Sequence, residues 1–192
     1  MTQFFRLSLI AAAMTAFLVA MLASHLDRRA NGAEILLEVE GYDPRDILLG
    51  HYAEIRTPLQ RFDIDALEGD DSFERGDRIY VVLETGADGL AIPIALHRAH
   101  PGSGLVAQGR VTGASETASA RQDADPAWVH ARFNIERYYA SRSRALELQE
   151  RLRQFDESGA TGVRLILSAP ADGRLIIKGF EIDGERRIDR IW

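Results

Sequence analysis

The feature that most constrains this chain of 192 residues is a long apolar segment near its N-terminus. Residues 7–23 include no charged side chain, and Phe4 and Phe5 extend the apolar stretch outward across Arg6. About 20 apolar residues in a helix span the ~30 Å hydrocarbon layer of a membrane. A buried helix of a water-soluble domain usually has a polar face, and this segment has none. The sequence therefore predicts one membrane-spanning helix.

The same segment is compatible with two fates, an uncleaved anchor or a cleaved signal peptide. A signal peptide has a shorter apolar core that ends in a small-x-small cleavage site. Here the core is long and residues 21–25 lack a clean A-x-A pattern, so we favour an uncleaved anchor. The flanking charges do not orient the helix, because Arg6 lies on one side and Arg28 with Arg29 on the other.

Composition narrows the function classes open to the rest of the chain. The absence of cysteine excludes disulfides, thiol catalysis and cysteine-ligated metals. A net charge of −6 repels phosphate backbones, so no nucleic-acid partner is expected. Lys178 is the only lysine beside a large number of arginines. Codon usage explains this bias most simply, and arginine-based recognition of phosphate or carboxylate is the alternative.

We divide the chain into an anchor or signal segment at residues 1–26, a polar linker at residues 27–33 and one soluble domain at residues 34–192. Alternating apolar residues bounded by turn residues predict short strands in that domain. These predicted strands are residues 34–40, 51–57, 77–84, 90–97, 105–111, 128–135, 163–167, 174–180 and 185–192. Residues 60–76 are rich in Asp and Glu and predict an exposed excursion, whereas residues 141–156 predict the one convincing helix. The expected fold is mainly β (α+β), an antiparallel curled sheet or partial barrel with one packed helix.

No pattern of residues marks a catalytic or metal site. His97 and His100 have an H-x-x-H spacing, but a Pro-Gly pair follows at once, so we interpret them as surface histidines. Lys178 is the only candidate base for a Ser–Lys peptidase, and no serine lies in a nucleophile motif. The acidic residues between Asp63 and Asp71 lack the spacing of a calcium loop. We therefore predict no catalytic residue, no metal and no cofactor.

Aromatic and basic residues in the second half of the chain are the candidates for a binding surface. Tyrosine and tryptophan often line grooves, although packing in the core or at its rim is their more ordinary role. Arginines on the predicted helix would add positive charge, with a solvated helix face as the alternative. The candidate surface comprises Trp128, Tyr138, Tyr139, Arg142 and Arg144.

Residues 43–57, DPRDILLGHYAEIRT, resemble the DPRDLLRGDYVxLxY segment of the GDYXXLXY protein family. The matching positions are Asp43, Pro44, Arg45, Asp46, Gly50 and Tyr52. Three positions depart from the motif: His51 stands for Asp, Ile55 for Leu and Thr57 for Tyr. Weaker similarities at residues 76–84, 137–147 and 178–184 extend the resemblance to residues 34–184.

The resemblance implies a bacterial protein with one N-terminal anchor and an exported domain that accompanies multi-spanning membrane proteins. It implies no catalytic residues, because none is established for the family. His51 in place of the motif Asp speaks against an essential acid at that position. We interpret the motif as structural, with Gly50 ending a short helix and the following residues entering a strand.

Three functions compete on this basis. We favour a non-enzymatic interaction or accessory module for a membrane partner in the envelope. A domain that binds a small ligand or an envelope polymer is the alternative, and an exported hydrolase is the third. The expected location is the bacterial inner membrane, with a single span and a periplasmic domain, and this outward placement follows from the resemblance alone.

Overall fold

The computed structural model describes residues 3–40, 52–115, 127–139 and 160–189, together with Leu148 and Arg151. That part of the chain contains one long helix, α1, followed by twelve strands. The strands are β1 Ala33–Glu40, β2 Tyr52–Glu54, β3 Arg61–Asp63, β4 Glu68–Gly69, β5 Arg78–Thr85, β6 Ala91–His97, β7 Leu105–Ala114, β8 Trp128–Arg132, β9 Arg137–Tyr139, β10 Ala160–Ala169, β11 Ile176–Ile182 and β12 Glu185–Ile188.

Helix α1 spans Gln3–Asn31 and projects away from the domain. Its residues 3–25 are exposed, and its length and composition are sufficient to cross a membrane. At ~1.5 Å per residue the helix is about 43 Å long, which exceeds the ~30 Å hydrocarbon layer. The helix continues through Arg28 and Arg29, so the first part of the segment predicted as a polar linker, residues 27–33, has helical backbone. Positive charge in a last turn favours helix, since it faces the negative end of the helix dipole.

The strands form three sheets within the described residues. One sheet has the order β1-β10-β11-β12, the second pairs β2 with β9, and the third has the order β3-β8-β7-β5-β6-β4. The pairings are antiparallel except that of β4 with β6. The predicted mainly β fold is confirmed, with one N-terminal helix and a curled sheet of half-barrel form. The helices predicted at residues 43–50 and 141–156 fall outside the described residues, save that Leu148 and Arg151 have helical backbone.

Buried side chains from the two large sheets join in one core. Strand β8 illustrates how the sequence produces it, because its residues alternate between the two faces of the sheet. Val129, Ala131, Phe133 and Ile135 are buried, as the alternation predicts, and Phe133 meets Phe62 of β3 edge to face at 6.2 Å between ring centroids. The opposite face of β8 remains accessible to solvent.

The exposed excursion predicted at residues 60–76 is only partly correct. It contributes strands β3 and β4 to the six-stranded sheet, and it buries Phe62, Ile64 and Phe73. Acidic residues dominate its composition, but the few apolar side chains between them reach the core. The high average polarity of residues 60–76 did not indicate strands β3 and β4. The hydrophobic effect acts on individual side chains, so a few apolar residues suffice to bring such a segment to the core.

Gly109 of β7 lies directly beneath the Phe133 ring. A Cβ at this position would lie 2.7 Å from Phe133 Cε1 and 2.9 Å from the carbonyl oxygen of Arg132. Real Cβ atoms do not approach other atoms so closely, so the ring or the strand would have to move. Packing at this crossing of β7 and β8 thus requires glycine.

We expect Gly109→Ala to lower the free energy of unfolding by about 1–3 kcal/mol through overpacking. Urea unfolding of the full chain in detergent, followed by tryptophan fluorescence, measures the change. Gly113→Ala on the same strand is the matched control, because its Cβ would meet only Trp128 Cζ3 at 3.7 Å. Equal effects of the two substitutions would contradict the proposed contact.

Candidate functional site

The C-terminal end of α1 is bound by the four-stranded sheet. Arg29 Nη2 donates hydrogen bonds to the carbonyl oxygens of Lys178 at 2.9 Å and Asp189 at 2.8 Å. The hydroxyl of Ser168, which is fully buried, donates to the carbonyl oxygen of Arg28 at 2.8 Å. The Arg28 carbonyl oxygen also accepts the backbone N–H of Gly32 at 3.2 Å, so the Ser168 hydroxyl is a second donor to it from outside the helix. These bonds join the helix to strands β10, β11 and the end of β12.

Gly32 allows the chain to pass from the helix into β1 at this junction. A Cβ on Gly32 would overlap Ser168 Oγ and would lie 2.9 Å from the backbone nitrogen of Pro170. An exposed ion pair between Arg28 and Asp172 adds a contact on the outside of the same junction. The helix therefore enters the domain through a close-packed joint, and we name residues 28–32 with their partners the helix–sheet junction.

A charged cluster lies beside this junction on β1, β11 and β12. Lys178 Nζ donates to Glu34 Oε2 at 2.7 Å, and Arg186 binds the other carboxylate oxygen of Glu34. The hydrogen bonds from Lys178 and Arg186 hold the pKa of Glu34 below its ordinary value of 4.5. The Lys178 ammonium is thus engaged in an ion pair. Among the described residues, no serine hydroxyl hydrogen-bonds to Lys178.

His100, the second histidine of the H-x-x-H pattern, has structural contacts in the described part of the chain. His100 Nδ1 accepts a hydrogen bond from the Gly102 backbone at 3.0 Å, so Nε2 carries the proton that is donated to the Ala171 carbonyl at 3.0 Å. The ring also meets Tyr80 edge to face at 5.4 Å. Within the described ranges no three His, Asp or Glu side chains cluster in a way that could hold a metal ion.

Two residues of the predicted binding surface, Trp128 and Tyr138, have side chains that the structure describes. Tyr138 is buried, its ring lies 4.6 Å from that of Phe180, and its hydroxyl donates to Asp189 Oδ1 at 2.7 Å. It belongs to the core because β9 turns this side chain inward, so its assignment to an exposed surface is corrected. Trp128 is half-buried against His130 at 4.8 Å between ring centroids. The side chains of Tyr139, Arg142 and Arg144 lie outside the described residues.

Most of the family motif also lies outside the described residues, namely Asp43, Pro44, Arg45, Asp46, Gly50 and His51. Tyr52 belongs to β2, which pairs with β9. Ile55 is fully buried, and its N–H donates to the carbonyl oxygen of Glu136 at 2.8 Å. The structural interpretation of the motif as a whole stays a prediction.

A polar cleft of ≈500 Å³ opens on the outer face of the six-stranded sheet. Its lining comes from the 3₁₀ turn at Pro58–Gln60, from β7 and β8, and from the connection between β8 and β9. The lining residues are Gln60, Thr112, His130, Ala131, Arg132, Asn134, Glu136 and Arg137. The β8 alternation placed His130 and Arg132 on one face, but no local signal brings three separate segments together.

Several hydrogen bonds hold the walls of this cleft. Gln60 Nε2 donates a hydrogen bond to the Ile55 carbonyl oxygen at 2.9 Å, and the amide oxygen of Gln60 takes no part in this bond. Glu136 Oε1 accepts from the Phe133 N–H at 2.6 Å and so closes the turn between β8 and β9. Asn134 in that turn has φ of 62°, a left-handed conformation that asparagine tolerates better than most residues. The cleft is thus bounded by a constrained turn.

Together these features define a class of protein in which one N-terminal helix, apolar enough to cross a membrane, is joined to a curled β-domain. The model of the GDYXXLXY protein family matches residues 14–180, and the chain belongs to that family. The family match confirms the resemblance drawn from the motif segments and reaches into α1. Searches of curated proteins and of solved structures returned no match.

We expect Arg29→Ala to lower the free energy of unfolding by about 1.5–3 kcal/mol, because two carbonyls lose a charged donor. Amide exchange should accelerate in residues 176–189, measured by mass spectrometry on the full chain in detergent. Arg28→Ala is the control, since its ion pair with Asp172 is exposed and such pairs contribute about 0–1 kcal/mol. Equal exchange rates in the two variants would contradict the role assigned to Arg29.

The Glu34 cluster predicts a specific pH dependence of stability. Because the pKa of Glu34 is lowered in the fold, its contribution is present above the ordinary value of 4.5 and is lost as pH falls through the folded pKa. Glu34→Gln should therefore lower the Tm at about pH 7, and the difference from the parent chain should shrink in acid. Glu38→Gln on the same strand, which makes no ion pair with described residues, should show no such trend in thermal melts.

Proposed function

We propose that this protein is a non-enzymatic accessory module of the bacterial inner membrane, anchored by α1, whose β-domain binds an integral membrane partner. The observation that carries the proposal is the helix–sheet junction. Hydrogen bonds from Arg29 and Ser168 join the last helical turn to the sheet. The backbone at Gly32 packs so closely against the sheet that there is no room for a side chain between helix and strand. A domain held in this way keeps one orientation relative to its helix, which lowers the entropy lost when a membrane partner binds.

Membership of the family supports the envelope setting of this module. The resemblance implies an exported domain that accompanies multi-spanning membrane proteins, and a helix that could cross a membrane accords with it. We therefore infer a single-pass protein with its domain on the periplasmic side.

The contacts of Lys178 and His100 support a non-enzymatic role. Lys178 is paired with Glu34, and both ring nitrogens of His100 bond to backbone groups. Groups with such partners are stabilisers of local structure, whereas a general base needs a free lone pair near a nucleophile. These pairings count against Lys178 and His100 as the general base of an exported hydrolase.

A domain that binds a small ligand or an envelope polymer is the second candidate function. The polar cleft of ≈500 Å³ favours it, because that volume is within the usual range of small-molecule sites. The two functions are compatible, since the cleft lies on the six-stranded sheet and the junction on the four-stranded one.

The accessory-module proposal is tested by crosslinking in native membranes. A photo-reactive amino acid is placed at exposed positions of the domain, such as Ile92 and Ile94, whose side chains are 46% and 38% exposed. We expect a crosslinked integral membrane protein. A flexible Gly/Ser insertion between Asn31 and Gly32 should reduce its yield roughly tenfold, because the domain loses its fixed orientation.

The same insertion after Ser103 is the matched control. Ser103 lies in an exposed loop between glycines whose surroundings are open, so the insertion there should leave both the fold and the crosslink intact. Recovery of the chain alone from every position would overturn the accessory role. An unchanged yield after the junction insertion would overturn the importance of a fixed orientation.

A further inference from the structure

Three arginines lie side by side on the outer face of the six-stranded sheet. The register pairs Arg78 of β5 with Arg110 of β7, and Arg110 with Arg132 of β8. Residues directly opposite each other in antiparallel strands point to the same face, and all three are exposed. Neighbouring strands are about 4.8 Å apart, so this arginine row extends over roughly 10 Å.

The row concentrates positive charge on one face of an acidic protein. Like charges directly opposite on a sheet destabilise it, and the net charge of the chain is −6. The side chains of Arg78 and Arg132 make no ion pair or hydrogen bond with other residues in the described part of the chain. Stability of the fold therefore does not account for the row, which suggests that an anionic ligand balances it.

Two neighbouring guanidinium groups are held in place by the backbone. Arg110 Nη1 donates to the carbonyl oxygen of Gly76 at 2.8 Å. Arg75 Nε donates to the carbonyl oxygen of Thr112 at 2.7 Å, at the wall of the polar cleft. These bonds use one donor of each guanidinium, which has five N–H groups. The remaining donors are positioned beforehand, so less side-chain entropy is lost when an anion binds.

Arg132 connects the arginine row to the polar cleft, because it belongs to both. The cleft adds His130 and the amides of Gln60 and Asn134 as further hydrogen-bonding groups. Glu136 is its one acidic residue among the lining residues, and its Oε1 already accepts the Phe133 N–H. Donors thus predominate on this surface, as carboxylate and phosphate oxygens require.

We propose that the arginine row and the polar cleft form a binding site for a small polyanion that presents two or more phosphate or carboxylate groups. One oxyanion lies in the cleft against Arg132 and His130, and a second bridges towards Arg110 and Arg78. The site does not depend on the proposed membrane partner, since none of its residues belongs to the helix–sheet junction. Its oxyanions can come from a soluble molecule or from the headgroup of an acidic lipid.

The site is tested with the full chain in phosphatidylcholine nanodiscs, with inorganic pyrophosphate and citrate as soluble probes. Calorimetry should detect binding, and a thermal shift should show stabilisation by at least one probe. Arg132→Gln and Arg78→Gln should each weaken binding by roughly fivefold or more, because each removes a charged donor. Arg174→Gln is the matched control, since it removes the same charge from an exposed side chain elsewhere and should leave affinity unchanged.

Nanodiscs that contain phosphatidylglycerol distinguish the two sources of oxyanion. A thermal shift with this lipid that disappears in Arg132→Gln assigns the oxyanion to a headgroup, and a response to the soluble probes assigns it to a soluble ligand. Without any probe, Arg132→Gln should raise the Tm, because the repulsion from Arg110 is relieved. The proposal is overturned if every probe and lipid is without effect, or if Arg174→Gln weakens binding as much as Arg132→Gln.

Discussion

The hydrogen bonds of Arg29 with the carbonyls of Lys178 and Asp189 are the contact on which the arrangement of this protein depends. They attach the C-terminal end of helix α1 to the four-stranded sheet. The buried Ser168 hydroxyl and the missing side chain of Gly32 complete the joint. The same helix is apolar enough to cross a membrane.

The six-stranded sheet is separate from this joint and presents a different chemistry. Its inner face contributes to the common core, with Gly109 allowing the Phe133 ring to approach β7. Its outer face carries the arginine row beside the polar cleft. The helix–sheet junction and the arginine row thus lie on different sheets that share one core.

Local sequence patterns predicted helices and strands correctly where apolar residues dominate a segment or alternate regularly with polar ones. The apolar N-terminal segment forms α1, and the alternation in residues 128–135 identifies which face of β8 is buried. Predictions failed where the outcome depended on distant residues. The linker at residues 27–33 is largely helical because Ser168 and the sheet stabilise the last turn, and Tyr138 is buried because Phe180 and Asp189 receive it.

The sequence by itself determined an N-terminal helix apolar enough to cross a membrane, the strand-rich domain and the membership of the GDYXXLXY family. The first two follow from local composition or periodicity, and the third follows from motif segments matched along the chain. Only the tertiary structure decided that Arg29 meets Asp189, 160 positions away, and that Arg78, Arg110 and Arg132 share one row. Such contacts depend on strand register, and register is selected by the packing of the whole core rather than by any one segment.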